Sequence, residues 1–354
     1  MALFGKDPVR VQPYFGYRSR DRLIISARAL HCAPPSFARG SRWRAMRTML
    51  RQFTAPRAAG LEVELRLQKA DAVLLWHSAV TDAEGYVHFD LPLHPELDLP
   101  PEPRWEVVAL HWNTDEGRQC AEGHVLVPAG ASRLAVICDV DDTIIETGIT
   151  GNLRAVAQNW KRVLAQWPAD ELALPEGAGH AGKRIAATHR PFFYVSSSPW
   201  SLFSCLVAFM RLKELPPGPL LLRDWGFNRA AFDSAGRGAH KTRAIDDLLA
   251  MYPEFRFALI GDNTQSDLAA YADAVEHNPQ RIAAIFIRTR AGHRFTALEQ
   301  AAKARIEAAG VPLWLGDTYG VCREFLDTAG FTPGGETEAI MRAVGRRNEE
   351  ARDG

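Results

Sequence analysis

The fold of this 354-residue chain is decided by Leu134-Ala-Val-Ile-Cys-Asp139-Val-Asp141-Asp142-Thr143. Residues 134–138 are an unbroken apolar run, which is typical of a strand buried on both faces of a parallel sheet. Such a strand brings Asp139 and Asp141 to its C-terminal end, where open α/β sheets bind ligands. Because crowded carboxylates repel one another unless a cation lies among them, the stretch predicts an oxygen-ligated Mg2+. The alternative is a surface acidic turn that caps a helix without metal.

Strands alternate with helices from about residue 131 onward, which is the pattern of a parallel sheet. Helices are expected at 152–167, after Lys241, at a segment that ends at about 277, and at 318–328, with apolar strands between them. A further helix is expected where Ser198 and Pro199 suit the N-cap and the first helical position. We therefore predict an α/β Rossmann-like domain over residues 131–332, followed by a polar tail at 333–354.

The first part of the chain, residues 1–130, has the pattern of an all-β domain. Short runs of strand-forming residues are separated by turn residues, and one hairpin turns at Asp82-Ala-Glu-Gly85. The strands are expected at 22–28, 61–67, 73–80, 86–91, 105–112 and 123–127. This organisation predicts a small sandwich-like domain ahead of the α/β domain.

One basic segment interrupts the β pattern at residues 39–53. Its apolar residues recur at helical spacing, and arginines flank the apolar stripe. A basic amphipathic helix can lie on an anionic membrane surface. The same pattern also suits a helix that packs on the sandwich with its basic face in water.

Composition excludes several classes of protein. The 42 basic and 42 acidic residues balance, so no global charge favours nucleic acid. No apolar run is long enough for a transmembrane segment, and the N-terminus does not have the pattern of a signal peptide. The five cysteines are far apart and odd in number, which fits a reduced, cytoplasmic protein better than a disulfide framework.

Polar residues follow the later strands in an order that suits phosphoryl transfer. Asp139 could attack phosphorus to form an aspartyl-phosphate, and Asp141 could act as the general acid and base. Ser196 and Ser197, beside backbone N–H groups at the start of a helix, would bind phosphoryl oxygens. Lys241 would neutralise the negative charge that develops in the transition state.

The predicted metal ligands come from two strand ends. Asp262, with help from Asp267, would complete a Mg2+ shell together with Asp139 and the backbone carbonyl of Asp141. Each group also has a simpler explanation, such as a helix-capping serine, a surface lysine or an aspartate in a turn. Their agreement in chain order favours a single catalytic crevice.

These stretches resemble the haloacid-dehalogenase superfamily of phosphatases. The resemblance rests on Asp-Val-Asp-Asp-Thr at 139–143, a strand-end serine, a lysine and Gly-Asp-x4-Asp at 261–267. More narrowly, residues 134 to about 290 resemble the actin-patch-protein type of Mg2+-dependent phosphatidate phosphatase, which is related to lipins. The segments that carry this narrower resemblance are 139–148, 193–200, 218–226, 240–242 and 257–267.

The family resemblance implies a fold, a reaction and a set of residue roles. It implies a haloacid-dehalogenase-like domain that releases diacylglycerol from phosphatidate, with Asp139 as nucleophile and Asp141 as acid and base. It also implies that Ser196 and Lys241 bind phosphate and that Asp262 binds metal. The family often has Gly-Asp-Ser-Gly-Gln-x-Asp where this chain has Asn263-Thr after Asp262, which leaves the role of Asn263 open.

The substrate is less well defined than the reaction. A soluble phosphomonoester and a catalytically silent phosphatidate-binding module are the alternatives to a lipid phosphatase. Arg223 either binds substrate or braces the site with Asp224, and the nearby aromatic residues either contact lipid or pack in the core. The expected partner is a phosphorylated substrate, with phosphatidate at the inner face of a membrane as the first candidate and without a transmembrane segment.

Overall fold

The computed structural model describes residues 8–32, 55–69, 72–130, 133–140, 190–212, 215–223, 234–263, 267–278, 280–289 and 292–316. Several predictions concern residues outside these ranges. They are the basic helix at 39–53, the helices at 152–167 and 318–328, the tail, and Asp141, Asp142 and Asp224.

The chain divides into two compact units, one rich in β-strands and one of α/β type. The β-rich unit consists of Met1–Ala131, Ser201–Cys205 and Gly218–Leu220, and the α/β unit consists of Ser132–Trp200, Leu206–Pro217 and Leu221–Gly354.

The β-rich unit contains eight described strands in one hydrogen-bonded sheet. They are β1 (Val9–Pro13), β2 (Gly16–Arg18), β3 (Arg22–His31), β4 (Glu62–Lys69), β5 (Ala72–Val80), β6 (Tyr86–Pro92), β7 (Arg104–Thr114) and β8 (Gly117–Val127). The strand order is β1-β3-β2-β8-β7-β4-β5, and β6 pairs with β3. The sequence pattern missed β1 and β2, which are short.

One apolar cluster holds this unit together. Alternate residues of β3, β4, β6, β7 and β8 point into it, and Phe89, Val63 and Leu110 are almost fully buried there. The period-two pattern places apolar side chains on this face and polar ones on the other. The sandwich-like arrangement itself stays a prediction.

The α/β unit contains a six-stranded sheet in the order β11-β10-β9-β12-β13-β14. The strands are β9 (Leu134–Asp139), β10 (Phe192–Pro199), β11 (Leu220–Arg223), β12 (Arg256–Asp262), β13 (Ile282–Arg288) and β14 (Leu313–Gly316). β9 pairs in parallel with β10 and with β12, and β13 pairs in parallel with β12 and with β14. The predicted parallel α/β sheet is therefore present.

Four α-helices are described: α1 (Phe203–Leu212), α2 (Ser234–Met251), α3 (Asp267–His277) and α4 (Ala297–Ala308). All of them belong to the α/β unit except the first three residues of α1, which belong to the β-rich unit. The start of α4 is fixed by a capping box, in which Thr296 and Glu299 each accept a hydrogen bond from the other's backbone N–H.

The centre of the sheet explains why the site lies where it does. All residues of β9 are buried, as its uninterrupted apolar sequence predicts. Phe193 on β10 packs against Phe257 on β12, with ring centroids 6.4 Å apart, and so joins the two strands that flank β9 on one face. The sheet thus holds the ends of β9, β10 and β12 in a fixed relation.

Candidate active site

Three neighbouring parallel strands end at the predicted site. In the register of the sheet, Asp139 of β9 lies opposite Val195 of β10, and Cys138 lies opposite Ile260 of β12. Asp139, Ser196 and Asp262 therefore come to the same edge, at the carboxyl ends of adjacent strands. All three are almost completely buried, with 1%, 0% and 1% of their surface exposed.

Lys241 reaches this edge from a helix. Its Nζ lies 2.7 Å from Oδ1 of Asp139 and also contacts Oδ1 of Asp267, and all three side chains are almost fully buried. The expectation that a helix begins after Lys241 is wrong, because Lys241 lies within α2, which begins at Ser234. The apolar pattern used to find the helix starts only after Lys241, while the first turns of α2 are polar.

The electrostatics of this group favour a charged lysine. Burial alone would lower the pKa of Lys241, but the charges of Asp139 and Asp267 outweigh burial and raise the pKa above its usual value of 10.5. Lys241 is therefore an ammonium at neutral pH. Only this charged form could neutralise phosphoryl oxygens.

Asp267 connects the lysine to β12. While Oδ1 faces Lys241, Oδ2 accepts a hydrogen bond of 3.0 Å from the backbone N–H of Asp262. Both oxygens of Asp267 are thus engaged within the protein. A Cβ on Gly261 would lie only 2.5 Å from Oδ2 of Asp267 and 2.8 Å from the hydroxyl of Tyr271, so this close approach requires glycine.

Arg288 is a site residue that the sequence patterns did not indicate. It pairs with Asp262 in the register of β12 and β13, and its Nη2 lies 3.9 Å from Oδ2 of Asp262. Its backbone carbonyl accepts a hydrogen bond of 3.1 Å from the N–H of Asn263. A single arginine at a strand end forms no recognisable motif, so only the register could reveal this contact.

The serine run forms a local turn of its own. Ser196 Oγ accepts a hydrogen bond of 2.9 Å from the backbone N–H of Ser198, and Ser196, Ser197 and Ser198 are all buried.

The expectation that Ser198 caps a helix beginning at Pro199 is wrong. β10 continues through Pro199, and a short 3₁₀ turn at Trp200–Leu202 precedes α1. The pairing of β10 with β9 reaches Val195, whose carbonyl accepts a hydrogen bond from the backbone N–H of Val140.

His240 and Arg223 flank the site on the side of β11. His240 Nε2 lies 3.4 Å from the carbonyl oxygen of Leu221, and burial lowers the pKa of His240. Arg223 is the last residue of β11 and is half-buried. Whether it binds substrate or braces the site stays a prediction, since Asp224 lies outside the described residues.

The residues that the structure describes contain no group of three His, Cys, Asp or Glu side chains that could hold a metal ion. The fourth predicted ligand, Asp141, lies outside the described ranges. Oδ1 of Asn263, next to Asp262, is buried and has no hydrogen-bond partner within the described ranges. An oxygen-rich edge with such an unused acceptor is compatible with Mg2+, which prefers oxygen ligands.

The fold and the site define an α/β protein in which buried carboxylates and a charged lysine meet at the carboxyl edge of a parallel sheet, where open α/β sheets bind ligands. The family comparison is more specific. Residues 134–289 match the family model described as the catalytic domain of phosphatidate phosphatase APP1. The resemblance predicted from the sequence is therefore confirmed for this segment, which contains every predicted site residue.

Two curated relatives match the same length of chain. The phosphatidate phosphatase APP1 of Saccharomyces cerevisiae is 31% identical over 156 residues, which is 44% of this chain and 26% of the yeast protein. An uncharacterized protein of Schizosaccharomyces pombe is 28% identical over 157 residues, 44% of this chain and 25% of its own length. The chain thus spans about a quarter of the curated relatives it matches.

Solved structures give only a weak likeness. A HAD family hydrolase from Deinococcus radiodurans R1, with bound phosphate and sodium, is 18% identical and has a TM-score of 0.35, covering 58% of this chain and 100% of that one. A phosphoserine phosphatase in its apo form is 9% identical with a TM-score of 0.32, covering 56% and 98%. Similarities at this level add no support to an assignment.

None of the helices that the structure describes is both long enough and apolar enough to cross a bilayer.

Proposed function

We propose that the α/β unit is a Mg2+-dependent phosphomonoesterase that works through an aspartyl-phosphate, and that its substrate is phosphatidate. The observation that carries the proposal is the buried contact between Asp139 and Lys241 at the carboxyl end of the central strand. A carboxylate and an ammonium at such an edge can attack and stabilise a phosphoryl group. The match to a phosphatase catalytic domain supports the same reaction.

In this proposal Asp139 is the nucleophile. Its carboxylate attacks phosphorus, the bond between phosphorus and the leaving oxygen breaks, and Asp141 gives its proton to that oxygen. Asp141 then takes a proton from a water molecule that attacks the aspartyl-phosphate, which releases inorganic phosphate and restores both carboxyl groups. Asp141 follows Asp139 by two positions in the sequence, which suits this division of work.

Three further residues would hold the phosphoryl oxygens, and a fourth would position one of them. Ser196 and Ser197, at the end of β10, would donate hydrogen bonds to them. Lys241 would neutralise their charge while Asp267 keeps its ammonium in place. Because both oxygens of Asp267 are already engaged, we now assign this residue to positioning rather than to direct metal ligation.

Mg2+ would be held by Asp139, Asp262 and the backbone carbonyl of Asp141. When bound, it would supply further positive charge next to the phosphoryl oxygens. The three carboxylates of Asp139, Asp262 and Asp267 face two protein cations, Lys241 and Arg288, so one negative charge is in excess, and this imbalance supports a further cation at the site. The unused Oδ1 of Asn263 is a further oxygen within reach of this edge of the sheet.

Phosphatidate is proposed as the substrate because the catalytic-domain family and the yeast relative are phosphatidate phosphatases. Its phosphomonoester group matches the reaction that the site supports. A protein that hydrolyses phosphatidate would act in the cytoplasm, as a peripheral protein at the inner face of a membrane. The β-rich unit would be a separate sandwich-like domain over residues 1–130, ahead of the catalytic domain at 131–332.

One comparison tests this function. The protein is assayed with Mg2+, and without it, on a generic aryl phosphate, on soluble phosphate esters and on phosphatidate in mixed micelles. We expect Mg2+-dependent turnover that is fastest on phosphatidate. Faster turnover of the soluble esters would defeat the lipid substrate and leave a soluble-ester phosphatase. Phosphatidate binding without turnover of any ester would instead indicate a binding module.

A further inference from the structure

The imidazole of His240 lies across the ends of two neighbouring strands. Its Nε2 is 3.4 Å from the carbonyl oxygen of Leu221 on β11, and the ring also meets the backbone of Ser196 on β10. The hydrogen bond with the Ser196 backbone acts against burial and raises the pKa of His240, as an acceptor does, so the group that faces the ring is a carbonyl. Since β10 and β11 are neighbours in the sheet, His240 joins two strand ends from helix α2.

Helix α2 brings two consecutive side chains to the site. Successive residues of an α-helix point about 100° apart, so His240 and Lys241 reach different neighbours. Lys241 contacts the carboxylates of Asp139 and Asp267. His240 instead meets backbone carbonyls at the ends of β10 and β11. One turn of α2 thus supplies both the ammonium of the site and a link between two of the strands around it.

The backbone at Ser196 decides where the hydroxyl of this residue lies. The register of β10 with β9 runs to Val195 in the part of the chain that the structure describes, so Ser196 is the first residue beyond it. The Ser196 Oγ accepts a hydrogen bond of 2.9 Å from the N–H of Ser198, which fixes the hydroxyl relative to the local backbone. A contact with the Ser196 carbonyl therefore acts on the placement of the hydroxyl as well.

We propose that His240 is a positioning residue, which holds the backbone of Ser196 so that its hydroxyl can bind a phosphoryl oxygen. This inference rests on the proposed function, in which Ser196 is a phosphate ligand. Burial lowers the pKa of His240, and the charges of Arg223 and Lys241 lower it further. The ring is therefore neutral at pH 7, and it acts through its contacts with the backbone rather than as a further charge near the phosphate.

The test is the binding of inorganic phosphate to the full chain with Mg2+, measured by titration calorimetry. His240→Leu removes both ring nitrogens and should weaken phosphate binding about five- to tenfold, as for loss of one well-placed hydrogen bond. His240→Gln keeps an N–H group that can donate to a carbonyl, so its affinity should stay within about twofold of the wild type. His277→Leu is the matched control, because His277 is 57% exposed and also contacts α2, at Asp246, and it should bind phosphate normally.

A double-mutant cycle separates the positioning of Ser196 from a general loss of structure. In a Ser196→Ala background no hydroxyl remains to be positioned, so His240→Leu should weaken phosphate binding by less than about a further twofold. Chemical denaturation of the same variants measures the stability that each one loses. Where His240→Leu does not fold, His240→Asn takes its place in the cycle, because the shorter side chain still gives up at least one of the two carbonyls.

Equal effects of His240→Leu in the two backgrounds would overturn the inference, and so would normal phosphate binding by that variant. An equal loss of affinity in His277→Leu, or a wild type that binds no phosphate, would also overturn it. Turnover of an aryl phosphate is measured alongside and tests the proposed function separately. A wild type that binds phosphate but hydrolyses no ester would end the proposed function, while the phosphate titration would still decide the role of His240.

Discussion

The Nζ of Lys241 lies 2.7 Å from Oδ1 of Asp139, and both side chains are only 1% exposed. The same ammonium contacts Asp267, so one buried cation serves two buried carboxylates. Burying charges is costly unless each is paired, and here the pairing joins the central strand to α2 and α3. The arrangement therefore links the stability of the α/β unit to its proposed chemistry.

Removal of the lysine charge should destabilise the protein strongly. Lys241→Met would leave Asp139 and Asp267 buried without their cation, and we expect the free energy of unfolding to fall by about 3–5 kcal/mol. Chemical denaturation measures this change. Lys303→Met is the matched control, because Lys303 is 42% exposed and its pair with Glu307 is worth less than about 1 kcal/mol. If the two substitutions lowered the free energy of unfolding equally, the buried position of Lys241 would not be the cause of its effect.

The proposed nucleophile, Asp139, can be tested with a substitution that keeps the shape of its side chain. Asp139→Asn should lower turnover of an aryl phosphate by at least about a thousandfold, because the amide cannot attack phosphorus. Initial rates with Mg2+ measure the loss, and circular dichroism shows whether the fold is kept. Asp90→Asn, at an exposed position of β6, should keep full activity. Near-normal turnover by the Asp139 variant would exclude the aspartyl-phosphate route.

Much of the site could be predicted because its residues follow patterns that act over short distances. The apolar run at 134–138 marks a strand buried on both faces, and the residues after it must lie at its carboxyl end. Asp262 and Ser196 follow similar runs on β12 and β10. The placement of these residues at one edge of the sheet could therefore be predicted from the order of strands and polar residues along the chain.

Other features depend on contacts that no local pattern encodes. Arg288 meets Asp262 only because β13 pairs with β12 in one particular register. The start of α2 was missed because the first turns of that helix are polar and show no apolar period, so Lys241 lies inside the helix. β10 continues through Pro199 although Ser198-Pro199 is a helix-start signal, and Ser196 Oγ accepts a hydrogen bond from the N–H of Ser198 within the strand. The register of two strands therefore decides the first case, and a helix start without an apolar period explains the second.

Arg288 should compete with a metal ion for Asp262. Its Nη2 lies 3.9 Å from Oδ2 of Asp262, so Arg288→Gln would remove a positive charge beside the proposed ligand. We expect Mg2+ to bind about tenfold more tightly, because the charge repulsion falls. Titration calorimetry without substrate measures the affinity. Arg294→Gln, which changes an exposed arginine, should have no effect. Unchanged or weaker binding in the Arg288 variant would contradict this role.

Glu64 on the outer face of the β-rich unit should titrate abnormally. The hydrogen bond from Trp76, and then that from Arg66, lower its pKa from 4.5 to about 2. A carboxyl group whose pKa is lowered by folding stabilises the fold above its unfolded pKa, and this contribution is lost as pH falls from about 4.5 to 2. Trp76→Phe keeps a ring but removes the donor, so the Glu64 pKa should rise towards 4.5 in a carboxyl NMR titration. An unchanged pKa would mean that Trp76 does not hold this carboxylate.

Two glycines in the α/β unit should respond in opposite ways to the same substitution. A Cβ on Gly261 would lie 2.5 Å from Oδ2 of Asp267, so Gly261→Ala must displace the carboxylate that holds Lys241 and the backbone of Asp262. We expect a loss of about 1–3 kcal/mol in stability, together with lower phosphatase activity.

Gly238 is the matched control, because it lies in α2 and a Cβ there would meet nothing within 4 Å. Gly238→Ala should stabilise the protein by about 0.5–1 kcal/mol, since alanine favours a helix more than glycine does. Thermal unfolding and aryl-phosphate turnover of both variants measure the contrast. If Gly261→Ala were as well tolerated as Gly238→Ala, then the close approach of Gly261 to Asp267 would not be needed to position the lysine.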